Sequence, residues 1–162
     1  MRTRPWQLSE IIALSETPLL DLIYRAAAVH RAHHDASSLQ VSSLISIKTG
    51  GCPEDCAYCP QSARYNTGIK RHGLLATEEV VRQAKSAKAG GASRICLGAA
   101  WRQVRSGREF DQVLETVEAL SNLDLEVCCT LGMLDADQAG RLREAGLYAY
   151  NHNVDTSPQR YR

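Results

Sequence analysis

From Val41 onward the sequence repeats one pattern: a short β-prone run, a turn, then a helix-prone run. Val41–Lys48 is β-rich, with Val41, Leu44, Ile45 and Ile47 as its apolar residues, and Gly50, Gly51 and Pro53 break it into a loop. Thr77 is placed to cap a helix running to about Gly90, with Glu78 and Glu79 in its first turn. Ser93–Gly98 reads as a buried strand, Phe110–Leu120 as a helix with Val113, Leu114, Val117 and Leu120 inward, and Leu123–Leu131 as a third strand. Asp135, with Gln138 three residues on, makes a variant capping box for a helix that stops at Gly146, and Leu147–His152 reads as a fourth strand. Such alternation calls for an α/β fold with a parallel sheet and right-handed crossovers. Rossmann-like and barrel folds both fit it. No G-x-G-x-x-G follows a strand, which removes the usual support for dinucleotide binding. The four predicted strands are half of what a closed parallel barrel of roughly 250 residues requires.

Helix precedes this pattern. Thr17 can cap, Pro18 suits the first helical position, and Leu19, Leu22, Ile23, Ala26 and His30 then share one face. His30, His33 and His34 end that helix, where cationic side chains suit the dipole. They are read as polar helix-end residues rather than as a metal set, with no cysteine near them. The expected organisation is a helical extension over residues 1–38 followed by the β/α units of residues 39–162.

The 162-residue chain has a formal net charge of +1 and 44% hydrophobic residues, enough for a core. That balance gives no electrostatic reason to expect nucleic acid or an acidic membrane as a partner. The clusters Arg102/Arg105/Arg108 and Arg141/Arg143 read as solvated surface. No apolar run approaches the roughly 20 residues of a membrane span, and Glu10, Glu16 and Asp21 interrupt any signal-peptide core. The expected setting is cytoplasmic, where thiols stay reduced. The six cysteines, Cys52, Cys56, Cys59, Cys96, Cys128 and Cys129, are therefore read as ligands or core residues rather than disulfides.

Three of them form a C-x-x-x-C-x-x-C loop directly after the first strand, Cys52-Pro-Glu-Asp-Cys56-Ala-Tyr-Cys59. Three thiolates from one short loop can converge on one face. A four-iron cubane normally takes four cysteines, so three leave one iron open to an outside ligand. A zinc site is the competing reading. It needs four ligands, and His72 would have to complete the set.

The cysteine loop resembles that of the radical SAM superfamily, and further stretches narrow the likeness. Ser46-Ile-Lys-Thr-Gly-Gly-Cys52 through Cys59-Pro-Gln-Ser-Ala-Arg-Tyr65, Cys96-Leu-Gly-Ala-Ala-Trp101, Cys128-Cys-Thr-Leu-Gly132 and Tyr150-Asn-His-Asn-Val-Asp-Thr-Ser-Pro158 are similar to the biotin synthase family, as are the opening helices with Pro18-Leu-Leu-Asp-Leu22. The resemblance implies the first four β/α units of a parallel (β/α)8 TIM-type radical SAM barrel, preceded by N-terminal helices and truncated. It also implies conversion of dethiobiotin to biotin: S-adenosylmethionine (SAM) yields 5′-deoxyadenosyl radicals that take hydrogen from two saturated carbons, and sulfur enters between them.

By that resemblance Cys52, Cys56 and Cys59 hold a 4Fe-4S cluster, and Cys96 and Cys128, near the ends of the second and third strands, are two ligands of a 2Fe-2S cluster. Tyr58 lies against the adenine of SAM, Asn153 and Asp155 contact SAM, and Asn151 and Asn153 meet the dethiobiotin ring. Read from spacing alone, Asn151, Asn153 and Asp155 share one face of an extended segment, while Cys129 and His152 point away, Cys129 reading as packing and His152 as structural. The resemblance further implies an electron donor such as flavodoxin or ferredoxin, and a homodimer. With the chain ending at Arg162 the expectation is an N-terminal half lacking the third cysteine and the arginine of the 2Fe-2S site. The alternative is a non-catalytic zinc-binding or iron–sulfur-binding fragment.

Overall fold

The computed structural model describes residues 4–154, 157 and 159. The chain divides into two compact units, Met1–Leu39 and Gln40–Arg162.

The first unit holds helices α1 (Leu8–Ser15) and α2 (Leu19–His33). Gln7 N–H donates to the Glu10 carboxylate at 2.9 Å, and Arg4 pairs with Glu10 at 2.7 Å, so the first turn of α1 is satisfied. Thr17 does not cap α2. Its hydroxyl donates back to the Ala13 carbonyl at 2.9 Å and closes α1 instead. Pro18 stands at the N-cap of α2 with ψ 139°, one position earlier than expected. Neither helix buries a residue, and Leu19 and Ile23 are exposed. The apolar stripe of α2 is thus helical in spacing but has no core of its own. The His30 and His34 rings stack with centroids 5.4 Å apart at the end of α2.

The second unit is a four-stranded parallel sheet in the order β1 (Ser42–Lys48), β2 (Arg94–Ala99), β3 (Glu126–Thr130) and β4 (Ala149–Tyr150). Helix α3 (Thr77–Ala89) follows β1, α4 (Arg108–Ser121) follows β2 and α5 (Ala136–Glu144) follows β3. The strands add in sequence with no reversal, unlike the doubly wound order with its switch point. One sheet face is buried: Ile45, Ile47, Ile95, Leu97, Val127 and Cys129 join Val80, Ala84, Phe110, Val113, Val117, Leu120 and Leu142 in a single core. Each large side chain buried there contributes roughly 1.5–3 kcal/mol. The opposite face carries Leu44, Arg94, Cys96, Glu126 and Cys128, none of them buried. One covered and one open face is the layout of consecutive barrel units, with the open face turned to the barrel interior.

Helix starts follow the local chemistry only in part. Asp135 caps α5 by accepting from Gln138 N–H at 2.8 Å, and Gln138 returns by accepting from Asp135 N–H at 3.1 Å. Thr77 is not a cap: Ala76 holds that position, and the Thr77 hydroxyl lies 2.9 Å from that of Thr116 on α4. The arginine clusters are more engaged than their composition suggests. Arg141 pairs with Asp111 at 2.6 Å over the Phe110 ring, and Arg102 pairs with Glu54 at 2.7 Å. Strand β4 is shorter than the predicted Leu147–His152, because only Ala149 and Tyr150 are in register with β3. No described helix is long and apolar enough to cross a membrane.

Candidate functional site: a cysteine loop beside an open sheet face

The cysteine loop leaves the C-terminal end of β1 and is closed by its own downstream segment. Cys52 N–H donates to the Gln61 carbonyl at 3.0 Å, Ala63 N–H donates to the Cys52 carbonyl at 2.7 Å, and the Gln61 side-chain carbonyl accepts from Gly50 N–H at 2.6 Å. Inside this ring the buried Ser62 hydroxyl donates to the Glu54 carbonyl at 2.6 Å, and Cys59 N–H donates to the Cys56 carbonyl at 2.9 Å. None of Cys52, Cys56 and Cys59 is in a disulfide, and all three are half-buried rather than sunk in the core. Gly50 (φ +75°) and Gly51 (φ +74°) supply the left-handed turn that carries the chain off the strand. Tyr58 is 69% exposed on the loop.

Among the described residues no three His, Cys, Asp or Glu side chains come together tightly enough to hold one metal ion. His72, needed for the zinc reading, pairs through its backbone with Thr49, and its Nδ1 lies 2.8 Å from the Gly73 carbonyl. A cubane asks for something different, one thiolate for each of several irons. Three cysteines on one closed loop, none of them in a disulfide, fit that donor set.

Cys96 and Cys128 face each other in register on β2 and β3. They lie in the middle of their strands, not near the ends as expected, because β2 runs on to Ala99 and β3 to Thr130. Burial pushes the Cys128 thiol up, and the neighbouring Cys96 thiol, in hydrogen-bond contact, adds to that rise. Two residues before Cys96 and Cys128, Arg94 and Glu126 pair at 2.7 Å, with Gln40 also donating to Glu126 at 2.6 Å. The Arg94 guanidinium, then Gln40, holds the Glu126 carboxyl below its usual range. Cys129 points the other way, into the core, where burial drives its thiol far up.

Beyond β4, Asn151 N–H donates to the Cys129 carbonyl at 2.9 Å. The Asn151 side-chain amide donates to Asn153 Oδ1 at 3.0 Å and to Thr130 Oγ1 at 3.3 Å. The two asparagines therefore come together at the C-terminal edge of the sheet. Asp155 lies outside the described residues. Sequence reasoning passed over Gln61, Ser62 and Lys48. The Pro60-Gln61-Ser62 run after the last cysteine was the signal for the first two.

Comparison with known proteins gives two findings. Residues 46–162 match the radical SAM superfamily. Curated relatives include the biotin synthase of Flavobacterium johnsoniae, 60% identical over 157 residues, which are 97% of this chain and 43% of that protein. The biotin synthase of Nostoc punctiforme is 61% identical over 156 residues, 96% of this chain and 47% of that protein. That of Myxococcus xanthus is 58% identical over 156 residues, 96% and 45% respectively. The chain spans less than half the length of these relatives.

Proposed function

This chain belongs to the radical SAM superfamily, and from that premise we propose that it provides the cluster-binding half of a biotin synthase, which inserts sulfur into dethiobiotin to form biotin. The observation that carries the reading is the placement of the closed three-cysteine loop at the C-terminal end of β1, on the sheet whose open face carries the Cys96–Cys128 pair. Catalytic groups of parallel barrels gather at that end of the strands.

In this reading Cys52, Cys56 and Cys59 hold a 4Fe-4S cluster, and Cys96 and Cys128 are two ligands of a 2Fe-2S cluster. When bound, the first cluster supplies the electron that cleaves SAM, and the second supplies sulfur. The chain's own residues bind and orient. The ring of hydrogen bonds through Gln61 and Ser62 holds the three thiols on one loop. Asn151 and Asn153 each carry an amide donor and an acceptor, which suits a cyclic urea such as the dethiobiotin ring, and Asn153 also reaches SAM together with Asp155. Tyr58 offers its ring to the adenine. Flavodoxin or ferredoxin would deliver the electron, in the cytoplasm, to a homodimer of the complete protein.

The test is anaerobic reconstitution with iron and sulfide, reduction, and low-temperature EPR with and without SAM. The expected result is a reduced 4Fe-4S signal that changes when SAM is added, reporting an open iron. Zinc bound in place of iron, or a cluster signal indifferent to SAM, would overturn the reading.

A further inference from the structure

Lys48, the last residue of β1, is clasped at both ends to the loop after β2. Its backbone carbonyl accepts from Ala100 N–H at 3.0 Å, while its ammonium donates to the Ala100 carbonyl at 3.1 Å. The same ammonium donates to the Gly50 carbonyl at 3.3 Å, at the root of the cysteine loop, and sits 5.8 Å from the centroid of the Trp101 ring. Lys48 is half-buried, and Ala100 is buried. Among the described residues no carboxylate lies within ion-pair distance of Lys48.

Among the described residues this half-buried cation meets carbonyl dipoles and a ring face but no counter-charge, so an anion placed nearby would be favoured. The cysteine loop begins two residues beyond the Gly50 carbonyl that this ammonium holds. A cluster ligated by three thiolates is anionic, and gaining an electron makes it more so. Nearby charge and hydrogen bonding set such potentials.

We propose that Lys48 is a positioning residue with two roles: it staples the root of the cysteine loop to the loop after β2, and it supplies the fixed positive charge that favours the reduced state of the cluster held there. The inference rests on the 4Fe-4S reading above, and the test separates the two.

Three variants of the full chain divide the roles. K48R keeps the charge, K48Q keeps a donor without charge, and K48M keeps neither. Each is reconstituted with iron and sulfide, assayed for iron and acid-labile sulfide, and titrated with a chemical reductant while the reduced-cluster EPR signal is followed. K48R is expected to load as the parent chain does, with its midpoint potential near the parent's. K48Q is expected to load with the potential shifted to more negative values, and K48M to lose most of its cluster. A purely structural lysine would not move the potential of a variant that still loads. A K48Q cluster with the parent's potential overturns the charge role. If K48Q does not load, the charge role is judged on K48R, and a K48R cluster whose potential departs from the parent's overturns it; a K48M chain that loads as the parent does overturns the staple. A parent chain that takes up no iron or sulfide overturns the 4Fe-4S reading and this inference together, whereas a loaded parent with indifferent variants overturns this inference alone.

Discussion

Cys96 and Cys128 stand directly opposite one another on adjacent parallel strands, with their thiols in contact on the open face of the sheet, while Cys129 is turned into the core. The geometry predicts a dithiol built across strands, not one made from the sequence neighbours Cys128 and Cys129. In a C52A/C56A/C59A background, an aryl arsenical, which needs two nearby thiols, is expected to add once to the native chain. Adding C129A should leave that uptake intact, and adding C96A should abolish it. Native mass spectrometry reads the outcome, and uptake that survives C96A would contradict the pairing.

Gln138 is fully buried and does two jobs. Its carbonyl completes the cap with Asp135, and its amide donates to the Val104 carbonyl at 3.0 Å and to Ser106 Oγ at 3.2 Å. Removing it strands a buried carbonyl. Q138A is expected to cost about 2 kcal/mol, as an unsatisfied buried acceptor does. D135A removes only a cap and is expected to cost about 1 kcal/mol. Denaturant unfolding ranks the two, and a D135A loss equal to or larger than that of Q138A would refute the second role.

The same α5 cap was legible in the sequence because both partners are local, three positions apart. So were the core helix face of Val113, Val117 and Leu120 and the cysteine loop, since each is a matter of spacing along the chain. What escaped depends on distant partners. Thr77 carries a good cap side chain, but a hydroxyl on α4 was a competing partner for it. Thr17 is the exception, since its competing partner, the Ala13 carbonyl, is local, four positions back. The third strand is shorter at its start than its apolar run, since Asp124 turns at φ +51°. The opposition of Cys96 to Cys128, the Lys48–Ala100 clasp and the Glu54–Arg102 pair all follow from strand register and loop approach, which no local pattern encodes.

Gly132 turns the chain after β3 at φ +80°, with the Arg102 carbonyl packed where a β-carbon would go. That carbonyl also accepts from Met133 N–H at 2.9 Å, so it is not free to withdraw. G132A is expected to destabilise by roughly 3 kcal/mol, combining left-handed backbone strain with a backbone clash. Gly91 has φ +94° but open space around it, and G91A should cost only about 1 kcal/mol. Thermal or denaturant unfolding of the two variants separates clash from strain, and equal losses would mean that the Arg102 contact is immaterial.

Tyr150 closes the same junction: its hydroxyl donates to the Gly132 carbonyl and accepts from Leu131 N–H at 3.1 Å. Burial pushes its phenol up to about 12 from an ordinary value of 10.0, against the opposing pull of the Leu131 N–H. The folded chain therefore holds this proton more tightly than the unfolded chain does. The stability it contributes is fully present below about pH 10 and is lost as pH rises toward about 12. Y150F removes both the hydrogen bond and the titration, and is expected to cost about 1 kcal/mol at neutral pH. Because every other group titrates alike in the two proteins, their difference in unfolding free energy isolates Tyr150. That difference should shrink as the pH is raised above about 10. A difference that stays constant would place the phenol in water rather than against the β3 turn, and one that grows would mean that folding favours the phenolate.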